Sequence, residues 1–175
     1  EAGTQLDATQ QIFTQLAGGP DEAAASMERL RAATGNVVDD MTLMGGAGSL
    51  LRMGLAETTT QAEELVEMAV RLKKPTDSAA EAIDNFTLML ANQSVARLDS
   101  FGISSGKVRA RITELLESGQ ALNREEAFTM AVMEIGAESI ERLGDAAYVA
   151  DTALARLQTT ATNVAGDLGL VVVDE

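Results

Sequence analysis

The chain contains no cysteine and no histidine. Disulfides, thiolate nucleophiles and zinc sites of the Cys/His kind are therefore excluded together, as are histidine triads and imidazole acid–base catalysis. Tryptophan is also absent, and aromatics make up only 3% of residues although 46% are apolar. The core must be filled by Ala, Leu, Val, Ile and the eight Met, and the richness in Ala, Leu, Met and Glu favours helix. Few β-branched clusters alternate with polar residues before Val171–Val173, so the expected fold class is all-α. Successive helices and helical hairpins are expected to end in a heptad-patterned C-terminal helix.

Basic residues are scarce as well: 13 Lys and Arg face 27 Asp and Glu, a formal charge of −14. A surface of that sign repels phosphate backbones, which argues against binding nucleic acid by charge and predicts no direct sequence-specific binding. The one basic run is Lys107, Arg109 and Arg111. Alternate residues on a helix point in different directions, so it reads as a solvated turn with one basic flank. No apolar run approaches the roughly 18 residues that a membrane span needs. The nearest, Met41 to Leu51, is glycine-rich and is followed by Arg52. The chain opens on Glu1 without a basic leader and turns apolar at Leu168–Val173 just before its last residue, so both ends are expected to be cuts from a longer protein.

Local signals predict the helices. Leu6–Ala17 carries Ile12, Phe13 and Leu16 on one side and stops at Gly18-Gly19-Pro20. Pro20 suits a first helical turn, with Asp21 and Glu22 at its positive end, and Gly35 is the expected C-cap. Val37 to about Met53 is a third helix, where Gly45, Gly46 and Gly48 mark a packing seam or a break. Thr60 with Glu63 has the capping-box form and opens a helix with Ala62, Leu65, Ala69 and Leu72 at helical spacing, closed by Lys73, Lys74 and Pro75. Ser78 with Glu81 repeats that form and starts a long helix through Ile83, Phe86, Leu90 and Leu98 to Gly102. Lys107–Ser118 follows, then a start at Asn123 and Glu126, with Gly136 and Gly144 as stops or kinks. In the last helix Ala147, Ala150, Leu154, Leu157, Ala161, Val164 and Leu168 recur at alternating spacings of three and four, a heptad seam for helix packing or self-association. The expected organisation is 1–56, 57–119 and 120–175.

Patterns that would carry chemistry fail on inspection. Gly102 to Lys107 has too few residues between its glycines for a phosphate loop, and Val108 replaces the hydroxyl that would hold magnesium. Ser104 and Lys107 match S-x-x-K without the companion motifs of serine β-lactamases. The adjacent pairs Asp39-Asp40, Glu63-Glu64 and Glu125-Glu126 diverge by about 100° on a helix, so adjacency makes neither a metal cage nor an acid–base dyad. Glu117-Ser118 resembles the catalytic Glu-Ser of lytic transglycosylases, but their glycine-rich G-L-M-Q signature is missing. No catalytic residue, cofactor or metal ligand is expected.

Two passages carry a resemblance. The first is Leu30 to Met41 (LRAATGNVVDDM), followed by Leu51 to Glu57 (LRMGLAE) and the helix to Leu72. The second joins Ala79–Leu98 to the stop Leu98-Asp99-Ser100-Phe101-Gly102-Ile103 and ends in Thr159 to Gly169 (TTATNVAGDLG). In this order the chain resembles tail tape measure proteins of long-tailed phages and prophages, with their "L-x-x-[FL]-G-I" stop and "N-x-x-x-D-L-G" close, from about Leu16 onward. That resemblance implies a structural role in setting tail length and residence in the tail lumen or tip until DNA ejection, after assembly in the bacterial host cytoplasm. It implies as partners other copies of the chain (as a coiled coil or trimer), tail tube and tail tip proteins, and tail assembly chaperones. The competing reading is a cytoplasmic all-helical module that recruits a partner through the 147–168 seam.

Overall fold

A computed structural model describes residues 2–143, and every element among them is helical. Eight α-helices follow in chain order: α1 (Ala2–Ala17), α2 (Pro20–Ala33), α3 (Asp40–Arg52), α4 (Thr59–Arg71), α5 (Ala79–Asn92), α6 (Val95–Leu98), α7 (Ser105–Glu117) and α8 (Arg124–Leu143). A 3-10 turn, Asp99–Phe101, follows α6. The all-α expectation holds. The described residues fall into two compact units, one ending at Glu67 and the other starting at Met68, so the division lies inside α4.

In the first unit α1 packs on α3 and, less extensively, on α2, and α2 packs on α3. Phe13, Leu30, Leu43 and Leu50 are buried in it. Each such side chain contributes roughly 1.5–3 kcal/mol through removal from water. Ile12, expected on the packed side with Phe13, is half exposed. Pro20 does open α2, with Asp21 and Glu22 in the first turn. The helix closes through Asn36 N–H, which donates to Arg31 O at 2.9 Å, over a left-handed Gly35.

The third helix begins three residues later than its apolar pattern suggested. Asp39 is the reason: its carboxylate accepts the Thr42 N–H at 3.2 Å and acts as N-cap. Helix α3 then runs unbroken through all three glycines, with Gly46 and Gly48 buried. A Cβ at Gly48 would lie 3.8 Å from Leu16 Cδ1 of α1, so this glycine sits on a packing seam. At Gly45 a Cβ would meet nothing.

In the second unit α7 packs along α8, and α6 with its 3-10 turn joins α5 to α7. Phe86 and Phe101 meet edge to face, centroids 5.2 Å apart and planes at 85°. That geometry aligns the positive ring edge with the negative face of its partner. The long helix expected from Ser78 to Gly102 is broken. Gln93 adopts φ 48°, ψ 45° as the C-cap of α5, and Ser94 N–H donates back to Met89 O at 3.0 Å. The stop at Gly102 is as expected: its φ of 72° lets Ile103 N–H reach Leu98 O at 3.1 Å. Gly136 is neither stop nor kink but lies inside continuous α8. Gly144 falls outside the described residues.

Candidate functional site

The heptad seam singled out from sequence, Ala147, Ala150, Leu154, Leu157, Ala161, Val164 and Leu168, lies outside the described residues. Within residues 2–143 three carboxylates, Glu63, Asp40 and Glu134, each lock one helix to another through an arginine.

The first lock is centred on Glu63 of α4. Its pattern suggested a capping residue, but the cap is two residues earlier: Thr58 Oγ1 accepts the Gln61 N–H at 3.2 Å, and Gln61 Oε1 accepts the Glu57 N–H at 2.8 Å. This frees Glu63 to turn inward, where it is buried. Its carboxylate accepts Ser26 Oγ–H at 2.6 Å, Arg29 Nε–H at 2.7 Å and Arg29 Nη2–H at 3.0 Å. Both oxygens are engaged, which is the condition for tolerating a carboxylate away from water. Ser26 and Arg29 stand three apart on α2, so one helix face supplies both donors. The guanidinium is about half exposed and keeps one side in water. Its pKa is raised, first by the Glu63 hydrogen bond and then by the charge of Glu63.

The second lock ties α2 to the start of α3. Arg31 Nε and Nη2 donate to the two oxygens of Asp40, both at 2.8 Å. Asp39 and Asp40, adjacent in sequence, thus do separate work: one caps the helix and the other anchors it.

The third lock runs across the α7–α8 hairpin. Arg111 Nε and Nη2 donate to Glu134 at 2.6 and 3.2 Å, and Arg111 Nη1 donates to Glu114 at 3.1 Å. One turn back on α7, Lys107 Nζ lies 4.0 Å from Glu138, one turn further along α8. Moving four residues along one helix and four back along the other keeps the pairs facing, which fixes the antiparallel register. The Arg111 hydrogen bond holds the Glu134 carboxyl below the usual carboxylate range, and its charge acts in the same direction. Glu134 and Glu114 in turn hold the Arg111 guanidinium well above its ordinary pKa. The basic run seen in the sequence therefore splits: from α7, Lys107 and Arg111 face the α8 carboxylates, and Arg109 is on the exposed side.

The S-x-x-K match is a helix cap. Ser104 Oγ accepts the Lys107 N–H at 3.3 Å, and Asp99 accepts the Ser105 N–H at 3.4 Å, so side-chain oxygens already occupy the positive end of α7. On α8, the buried Ser139 hydroxyl lies 3.1 Å from Gly102 O and accepts Arg142 Nη2–H at 3.2 Å. It fastens the Gly102 stop to α8. Among the described residues no three His, Cys, Asp or Glu side chains gather as a metal site, and no helix is long and apolar enough to cross a membrane. Sequence reading missed the Glu63, Asp40 and Glu134 pairings. Only the i, i+4 spacing of Lys107 with Arg111 and of Glu134 with Glu138 signalled one of them. The sequence matches no protein-family model, no curated protein and no solved structure.

Proposed function

We propose that this chain is a segment of a phage or prophage tail tape measure protein, a structural component that helps set tail length and occupies the tail lumen or tip until DNA ejection. The role is one of packing against neighbours rather than catalysis. The observation that carries the reading is the stop after α6. Leu98, Phe101 and Ile103 are buried around a left-handed Gly102, so the residues that form the family-like L-x-x-F-G-I pattern are the ones that end one helix and aim the next. The inter-helix locks support it too, since Glu63, Asp40 and Glu134 serve to hold helices in register. An acidic surface suits residence beside passing DNA, because binding that DNA would slow its exit. The partners that go with this reading are further copies of the chain, tail tube and tip proteins, and assembly chaperones in the host cytoplasm.

The test is to purify tailed particles from the bacterium that carries the parent gene and to search them by mass spectrometry for peptides of this segment. The expected result is their recovery with the tail fraction, and altered tail length on in-frame deletion in the parent gene. Recovery only from host cytoplasm, in complex with another protein, would replace the proposal with the partner-binding module acting through the 147–168 seam. Turnover of peptidoglycan by the purified chain would replace it with an enzyme.

A further inference from the structure

We draw no further inference here: the strongest candidate, the apolar tip of the α7–α8 hairpin where Leu122 is 89% and Leu116 38% exposed, carries nothing because nothing in the structure shows what covers it.

Discussion

Glu63 on α4 grips Arg29 on α2 at two points, Nε to Oε1 at 2.7 Å and Nη2 to Oε2 at 3.0 Å, while the same carboxylate takes the Ser26 hydroxyl. Its neighbour Glu64 is exposed on the same helix. Glu63→Ala removes the acceptor of a buried hydroxyl, at a cost of about 1–3 kcal/mol for the group left unpaired. Glu64→Ala should stay within about 0.5 kcal/mol, as surface changes usually do. Urea unfolding followed by helical circular dichroism reads both. Equal midpoints for the two variants would show that the inward carboxylate contributes no more than a solvated one.

How far the fold was legible depends on where each signal resides. Ser78 with Glu81 and Asn123 with Glu126 act within one turn, and both form as read, with Glu81 N–H donating to Ser78 Oγ at 3.1 Å and Glu126 N–H to Asn123 Oδ1 at 2.8 Å. Glu63 was misread because two capping patterns overlap there, Thr58 with Gln61 and Thr60 with Glu63. Choosing between them requires Arg29, 34 residues away in the chain. The break at Gln93 lacks the glycine that usually marks a left-handed cap. The interior of α8 reads oppositely: Gly136 looks like punctuation but serves space, which only knowledge of its neighbour Met68 reveals. The heptad seam lies outside the described residues, and the locks are not legible in the sequence, since spacing names the charged residues without naming their partners.

Gly136 gives the second prediction. A Cβ there would run into Met68 Sδ and lie 3.0 Å from its Cε. Gly136→Ala gains about 1 kcal/mol of helix propensity. Against that stands overpacking of a buried side chain, about 1–3 kcal/mol. A net loss of stability is expected, softened by the flexibility of methionine. In a Met68→Ala background the same substitution should become neutral or stabilising, and the difference measures the coupling. Gly45→Ala is the control: a Cβ there meets nothing, so about 1 kcal/mol of stabilisation is expected. The packing argument fails if Gly136→Ala stabilises as much as Gly45→Ala.

The Arg111–Glu134 pair predicts a pH dependence. Arg111 lowers the folded-state pKa of Glu134 from its ordinary 4.5. A depressed carboxylate contributes stability that is present above the unfolded pKa and is lost as pH falls through the folded one. Wild type should therefore exceed Glu134→Gln by a small constant margin at neutral pH, and the margin should shrink once pH drops below about 4.5. Because Glu134 is partly exposed, added salt should reduce the neutral-pH margin as well. Thermal melts of both proteins between pH 3 and 7 test this. A margin that persists unchanged at the acid end would mean that the bond does not depend on the charge of Glu134.

Gln93 gives the last prediction, and its sign can be worked out from the backbone alone. At φ 48°, ψ 45° the residue lies in the left-handed region, where a Cβ crowds the following carbonyl at roughly 1–2 kcal/mol. The conformation is kept because it lets Gln93 N–H donate to Leu90 O and Ser94 N–H to Met89 O, ending α5 and turning the chain toward α6. Gln93→Gly relieves the crowding but enlarges the freedom of the unfolded chain, a partial offset of up to about 1 kcal/mol. The net expectation is a rise in stability of a few tenths to about 1 kcal/mol, with α5 and α6 still separate. Gln93→Val, whose branched Cβ tolerates the left-handed region least, should lose stability instead. Chemical denaturation of the pair decides it: if Val is as stable as Gly at this position, residue 93 does not hold a left-handed turn, and the uninterrupted helix expected from the apolar spacing is the better description.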